Sequence, residues 1–493
     1  MVMKARHVYG PTFEEMLHPE RIPGETRARA LEGRADPLDP VNLFNITWKD
    51  VGGRVRYVVL DKALTGVDAN IILLYGAEFP SGSHKVGAAY AVAMEGQLAG
   101  DTEPGEHTLV WPSTGNYGIG GAWVGPRLGY KSVVILPARV SRERFERIAS
   151  YGARYIKTSG SESSVKEVFD ACSELVKTDP AFRVLNQFQA FPNYRFHYAV
   201  TGGTIVEAVQ ELAAGGGTGG AGGGGAGGGG AAGAGGAAGA GGAAGIGNGR
   251  VAAFVSAMGS GGTIAAGDKL KQVFGECRIV GLEPIQCPTL FMNGHGDHDI
   301  QGIGDKHVTW IHNTLNTDLL MCLDDVSCKQ GLQLLTDPAG QEYLASEAGV
   351  AAASLGRLAG IIGISAVCNI LGAIKTAKFY GFGADDNVVT IATDSFDRYG
   401  SVVAGVAEQW GKLDRVRAAA YFARIFEGAG LDWIQEGDRL NRMRWHNLKY
   451  FWWVEQHGKT KAELDAMLSP DFWTAEQARV AEFDQRLKEA RGF

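Results

Sequence analysis

The 493-residue sequence predicts an α/β fold with a largely parallel sheet, two or three domains and a helical C-terminal extension. Three observations carry that expectation. Short apolar or β-branched runs alternate with helix-patterned segments, which reads as successive βαβ units. The chain is longer than a single core of ordinary size requires. Beyond residue 401 the β-branched runs stop, and aromatic residues recur at helical spacing.

In chain order, the buried-strand candidates are ANIILLYG (69–76), HTLVWP (107–112), SVVILP (132–137), ARYIKT (153–158), VAAFVSAM (251–258), CRIVGLEP (277–284) and NVVTIAT (387–393). Between the third and fourth, a helix is expected with Ser141 as its cap, Phe145, Ile148 and Ala149 on one face, and Gly152 at its end. From Ala213 to Gly249 the chain is almost pure glycine and alanine. So few side chains cannot offset the entropy of ordering the backbone, so this stretch is read as a disordered insert between paired elements. It lacks the strict third-position glycine and the proline of collagen. Near the end, Tyr421, Phe422, Trp433, Trp445, Tyr450, Phe451, Trp452, Trp453 and Trp473 suggest packing against the body or a second subunit, with Thr474 and Gln477 as a capping box for the last helix.

Composition narrows the function. A formal charge of −7 lacks the basic footprint of nucleic-acid binding and gives no reason to expect an anionic membrane partner. No run of about 18 apolar residues suggests a membrane span. The six cysteines are scattered, without a CxxC pair, as expected of buried free thiols in a reducing compartment. The N-terminal segment has no apolar core and carries Glu14, Glu15 and Glu20, which argues against a targeting peptide and for a cytoplasmic location.

Four separated segments carry the chemistry. In PSGSHKVGAAYAV (80–92), Lys85 stands at a helix start behind a small-residue turn. There the macrodipole disfavours its charge, and burial would push it toward a neutral, nucleophilic amine; exposed, it is an ordinary surface lysine. In WPSTGNYGIGGAWVG (111–125), Ser113, Thr114, Gly115 and Asn116 follow a strand and open a helix, offering amides and hydroxyls to a carboxylate or simply a polar loop. In SAMGSGGTIAAG (256–267), Gly259, Ser260, Gly261, Gly262 and Thr263 form a strand-to-helix turn suited to a phosphate, without the GK[ST] of a Walker loop. In ATDSFDRYGS (392–401), Ser395 follows the last strand and is placed to hydrogen-bond a ring nitrogen.

Together, P-S-x-S-x-K, S-[ST]-G-N, G-[ST]-G-G-T and the final serine followed by Arg398-Tyr399 resemble the fold type II pyridoxal-phosphate enzymes, the cysteine synthase and tryptophan synthase β-subunit group. GLEP (281–284), QGIG (301–304) and GIS (363–365) follow the family order, and the resemblance spans about residues 55–401. It implies two open, mostly parallel α/β domains with pyridoxal 5'-phosphate in the cleft between them, and a homodimer acting on a small amino acid. By the same resemblance the core is 51–401, its smaller subdomain about 86–199, with an N-terminal extension over 1–50 and a C-terminal one over 402–493.

The resemblance assigns Lys85 as Schiff-base and proton-shuttling residue. It gives His84 and the loop from Gly259 through Thr263 to the phosphate, Asn116 to the 3-hydroxyl oxygen and Ser395 to the pyridine nitrogen. Ser113, Thr114 and Gly115 would meet the substrate carboxylate, with Tyr117 beside them where cysteine synthases usually carry a small threonine. A neutral serine at the ring nitrogen weakens the electron sink, so prompt loss of a β-substituent to an aminoacrylate is the favoured course. The expected activity is β-replacement on an activated serine; β-elimination and a non-catalytic scaffold are the alternatives. NGHGDHD (293–299) is read as a solvated loop, since neighbouring loop residues seldom converge on one metal ion.

Overall fold

The computed structural model describes residues 7–113, 115–215 and 245–492. Thr114 and residues 216–244, most of the glycine-alanine stretch, lie outside the described residues. The described ends of that stretch meet, Ile246 N–H donating to the Leu212 carbonyl at 3.0 Å.

The strands are β1 (Tyr57–Val59), β2 (Asn70–Tyr75), β3 (Thr108–Pro112), β4 (Lys131–Pro137), β5 (Arg154–Thr158), β6 (Phe182–Val184), β7 (Ala253–Ala257), β8 (Arg278–Pro284), β9 (Leu319–Leu323), β10 (Asn387–Ala392) and β11 (Ile434–Glu436). They form two sheets. The smaller, β5-β4-β3-β6, is parallel throughout. The larger has the order β1-β2-β10-β7-β8-β9-β11, with parallel inner strands and antiparallel β1 and β11 at its edges. Both faces of the inner strands are covered, so β9 and β10 are buried at every position.

All seven strands expected from sequence are present, but β5, at the edge of the smaller sheet, is largely exposed rather than buried. The four that sequence reading passed over have clear causes. β1, β6 and β11 are three residues long. β9, Leu-Leu-Met-Cys-Leu, is apolar but has no β-branched residue to mark it as a strand.

Six helices position the site or close the fold: α1 (Lys85–Ala99), α2 (Asn116–Arg127), α3 (Arg142–Ser150), α4 (Val165–Thr178), α5 (Ile364–Tyr380) and α6 (Pro470–Arg491). The first two touch backbone to backbone, because a Cβ on Gly120 would lie 3.0 Å from the Val86 Cα. That approach sets the start of α1 beside the start of α2. Helix α3 begins after Ser141 and is followed by Gly152 at φ 77°, as expected, but the Ser141 side chain makes no capping bond. Its inner face is Arg144, Phe145 and Ile148, whereas Ala149 is exposed.

The C-terminal region packs within the same chain. Trp445 and Trp453 have no exposure, and Trp452 and Trp473 are buried, although Phe451 is 58% exposed. The Trp453 indole donates to the Val308 carbonyl at 2.8 Å, and the buried Lys449 amine donates to the Trp310 and His312 carbonyls at 2.9 and 2.7 Å. The last helix starts earlier than the sequence suggested. Ser469 accepts from Asp471 N–H, and Pro470, whose fixed φ suits a first helical position, begins α6. Thr474 and Gln477 therefore lie in the helix body, bonded to the Pro470 carbonyl and the Tyr194 hydroxyl. At its far end, Asp484 accepts the N–H groups of Phe13 and Glu14 at 2.7 and 3.0 Å, joining the two termini of the fold.

All six cysteines are buried and free. Among the described residues no helix is long and apolar enough to cross a membrane.

Truncating Trp453 removes a buried ring and leaves the Val308 carbonyl without its donor. Trp453→Ala is expected to lose about 3–5 kcal/mol of stability in urea unfolding, against about 0.5 kcal/mol or less for exposed Phe451→Ala.

Candidate active site

The starts of α1, α2 and α5 and the turn after β7 meet at one cleft between the sheets. Lys85, Ser113, Gly115, Asn116, Tyr117 and the turn from Gly259 through Thr263 all line it. Thr114 lies outside the described residues. The four segments singled out in the sequence thus converge, with adjustments at His84, Tyr117 and the fourth segment.

Lys85 is the first residue of α1, where the N-cap has no side-chain hydrogen bond to offer the helix end. Its amine donates to the Ser260 hydroxyl at 2.9 Å, and Asn193 donates to the same oxygen at 3.1 Å. Burial pushes the amine down to about 8, and nearby Asp305 opposes that fall. A substantial neutral fraction is therefore present near physiological pH, the form that attacks an aldehyde.

The turn after β7 is built for an anion. Among the described residues, no acceptor takes the backbone N–H groups of Gly259, Ser260, Gly261 or Gly262. Side chains are excluded there by contact: a Cβ would lie 2.8 Å from the Gly302 carbonyl oxygen at Gly259, 2.4 Å from Thr309 Oγ1 at Gly261 and 2.2 Å from Asn193 Oδ1 at Gly262. Gly261 also has φ 74°. Bare, unpaired amides at a buried turn form a nest for a phosphate.

His84 stands one layer behind. It is wholly buried, stacks on Trp48 with ring centroids 5.3 Å apart, and has Nδ1 3.2 Å from the Thr393 carbonyl and Nε2 3.1 Å from Thr263 Oγ1. Burial and then the Lys85 charge push its pKa down to about 3. A carbonyl only accepts, so the neutral ring carries its proton on Nδ1, and Thr263 donates to Nε2. His84 does not line the cleft but orients Thr263, which does.

On the opposite wall, Ser113 accepts from the N–H groups of Gly115 and Gly118, both at 2.9 Å. That caps the start of α2 and leaves the hydroxyl proton available to a carboxylate. Gly115 has no space for a side chain, since its Cβ would lie 1.7 Å from Arg144 Nη1. Asn116 donates to Asp394 at 2.6 Å. Tyr117 fills less of the cleft than its size suggested: its hydroxyl donates to the Leu185 carbonyl at 3.0 Å and its ring packs edge-on against Trp111.

Ser395 does not line the cleft. Its hydroxyl donates to Asp397 at 2.5 Å and accepts from Arg398 at 2.8 Å, because the chain turns into a short 3-10 helix directly after it. Besides Ser113 and Ser260, the serine that lines the cleft is Ser365, 3% exposed in the first turn of α5. The sequence signal was the GIS triplet at 363–365, noted for its order but given no role. Asp305 was missed altogether; it is 7% exposed and lines the cleft. In the 293–299 loop, Asp297 meets Ser161 and Arg139, His298 meets the Gly304 carbonyl, and Asp299 meets Lys329.

A buried chain of polar side chains ties the walls together. Asp394, wholly buried, accepts from Asn116 and, at 2.8 Å, from Tyr399; Arg144 donates to Tyr399 at 3.2 Å and faces Glu162 at 3.5 Å. Burial works against the Arg144 charge, but Tyr399, Glu162 and Asp394 more than offset it and raise its pKa.

A buried amine beside an unpaired amide nest, with a hydroxyl-bearing helix start opposite, fits pyridoxal phosphate: an aldehyde within reach of Lys85 and a phosphate on residues 259–262. Comparison with known proteins agrees. A family model described as pyridoxal-phosphate dependent enzyme matches residues 63–394. A cysteine synthase of Staphylococcus aureus is 29% identical over 360 residues, 72% of this chain and 94% of that protein. A probable cysteine synthase of Bacillus subtilis is 26% identical over 321 residues, 65% of this chain and 85% of that protein. Among solved structures, a cysteine synthase from Entamoeba histolytica shares the fold at TM-score 0.56 and 19% identity, covering 75% of this chain and 92% of its own. A hydrogen sulfide-producing enzyme from Fusobacterium nucleatum does so at 0.55 and 21%, covering 74% and 91%.

The lowered pKa makes a direct test. In cofactor-free protein, labelling of Lys85 by an amine-reactive reagent, followed by peptide mass spectrometry, is expected to rise through a midpoint near pH 8. Exposed lysines rise about two pH units later.

Proposed function

The chain belongs to the pyridoxal-phosphate-dependent enzymes, and from that premise we propose that it catalyses β-replacement on an activated serine-type amino acid, in the manner of the cysteine synthases it resembles. The observation that carries the reading is the position of Lys85: a buried, readily deprotonated amine between an anion nest and a carboxylate-binding helix start.

Bound pyridoxal phosphate supplies a conjugated ring that withdraws electrons from the substrate amino group and acidifies the α-proton. The chain supplies everything else. Backbone N–H groups of residues 259–262 hold the phosphate, with Thr263 oriented by His84. The Ser113 hydroxyl and the N-terminal end of α2 receive the substrate carboxylate, so that one end of the substrate is fixed and its α-carbon faces Lys85. The Lys85 amine, freed when the substrate amine takes its place, removes the α-proton and later returns it. Asn116, anchored by Asp394, would hold the ring hydroxyl.

The role first expected of Ser395 passes to Ser365. A neutral hydroxyl facing the ring nitrogen does not hold it protonated as a carboxylate would, which restrains electron withdrawal and favours prompt departure of the β-substituent. Asp394, next to Ser395 in the sequence, does not compete for that place, because it accepts from Asn116 and Tyr399. A cytoplasmic setting, with six buried thiols, and the homodimer expected from the family are part of the same proposal.

Purified protein is expected to be yellow and to form cysteine from O-acetylserine and sulfide. Borohydride should fix the cofactor to Lys85, and Lys85→Ala should abolish both fixation and turnover. Keto acid production with no cysteine would instead establish elimination. Ser365→Ala should lower kcat/KM about tenfold, the worth of one hydrogen bond, while Ser395→Ala stays within about threefold of the parent.

A further inference from the structure

Asp305 has no task in the mechanism above, yet it stands in the same cleft as Lys85. Its position is well defined. Gly304, at φ 77°, turns the chain and its N–H donates to the Met258 carbonyl at 2.8 Å; the Asp305 carbonyl accepts from Thr289 at 2.8 Å; Lys306 pairs with Glu167 at 3.4 Å. The backbone on both sides is anchored, so the carboxyl is held against the cleft.

Other buried carboxyls in this protein serve structure and have donors. Asp268 accepts from Tyr194, Asn313 and Asn316, and Glu283 accepts from the N–H groups of Leu290 and Phe291. Among the described residues no side-chain or backbone donor reaches the Asp305 carboxyl within hydrogen-bonding distance. The charged groups acting on it are Glu162 and Lys85. Burial, and then Glu162, push its pKa up to about 8, while Lys85 pulls the other way. In cofactor-free protein Lys85 supports its charged form; once Lys85 is engaged elsewhere, burial and Glu162 favour the carboxylic acid, whose proton no acceptor among the described residues claims, in the cleft where substrate must sit.

We propose that Asp305 is a second proton-transfer residue, which protonates the departing β-substituent and then deprotonates the incoming nucleophile. This rests on the β-replacement reading. As the bond from Cβ to the leaving oxygen or sulfur breaks, the electron pair departs with the heteroatom and the Asp305 proton joins it, releasing water or hydrogen sulfide and leaving a carboxylate. When a thiol then attacks Cβ, its sulfur supplies the bonding pair and its proton returns to Asp305. Lys85 keeps the α-proton for the final step, so protons and charge balance over the cycle with a β-hydroxyl or β-thiol; with an O-acyl serine the acid keeps its proton throughout, and the proton of the thiol leaves to solvent. The consequence is a substrate class: amino acids with a β-hydroxyl or β-thiol, whose leaving groups need a proton, are used as well as O-acyl serines, whose carboxylate leaves without one.

The test compares wild type with Asp305→Asn on O-acetylserine, serine and cysteine, each with a thiol nucleophile. Wild type is expected to use all three. The kcat/KM for the amino acid reads only the half-reaction up to departure of the β-substituent, so the variant should keep it within about threefold for O-acetylserine, whose carboxylate needs no proton, and lose about a hundredfold or more with serine and cysteine, the usual worth of one acid-base group. A readout independent of turnover is Lys85 labelling in cofactor-free protein, whose midpoint should fall below that of wild type once the Asp305 charge is removed. Asp305→Ala, with serine turnover restored by added formate, covers a failure of the asparagine variant to fold. Equal losses on all three substrates, no loss on any, or a wild type limited to O-acetylserine overturns the proposal alone. A wild type that makes no replacement product from any of them overturns the β-replacement reading, and this proposal with it.

Discussion

The constraint on which the remaining architecture depends is the removal of one lysine amine from water at the junction of two sheets. A charged amine there is costly, and a neutral one is reactive. Ser260 gives the amine a hydrogen bond and Asp305 gives it partial electrostatic compensation, so that its pKa falls only to about 8. The glycines on the facing turn follow from the same demand. A side chain at 259, 261 or 262 would collide with Gly302, Thr309 or Asn193 and open the wall that keeps the site dry.

The two sheets do not merely face one another across that cleft. The chain Glu162, Arg144, Tyr399, Asp394, Asn116 begins beside the smaller sheet, crosses to the end of β10 in the larger one and returns to α2. Arg398 extends the connection, donating to the carbonyls of Ser81 and Gly82 in the turn that precedes Lys85. Buried charges of this kind contribute little net stability, because desolvation consumes most of the attraction. Their effect is geometric: the bonds that Asn116 and Tyr399 donate to Asp394 fix the carboxylate-binding loop relative to the end of β10.

The C-terminal region holds the part of the fold that carries Asp305. Lys449 and Trp453 bond the carbonyls of Val308, Trp310 and His312, and Trp452 stacks on His307 with centroids 4.8 Å apart. Phe169 of α4, from the smaller sheet's side, joins the same aromatic cluster. A surface that looked in the sequence like a possible partner face is therefore largely consumed within the chain, where it steadies the loop on one side of the cleft and the helix on the other.

Local patterns determined a good deal by themselves. Short runs with apolar or β-branched members marked seven strands, and small residues directly after β3 and β7 marked the turns around Lys85, because backbone conformation and bare amides are local properties. What could not be read locally was which polar side chain faces the cleft. Ser365 and Ser395 are both small hydroxyls beside a strand or helix end; only the packing of α5 turns the first inward, while Arg398 and Asp397 claim the second. Asp305, likewise, is an unremarked loop residue until the fold buries it in the cleft with Lys85, where no donor among the described residues reaches it. Strand and turn identity depend on neighbours in the chain, whereas protonation and access depend on neighbours in space, and those exist only once the two sheets have closed on each other.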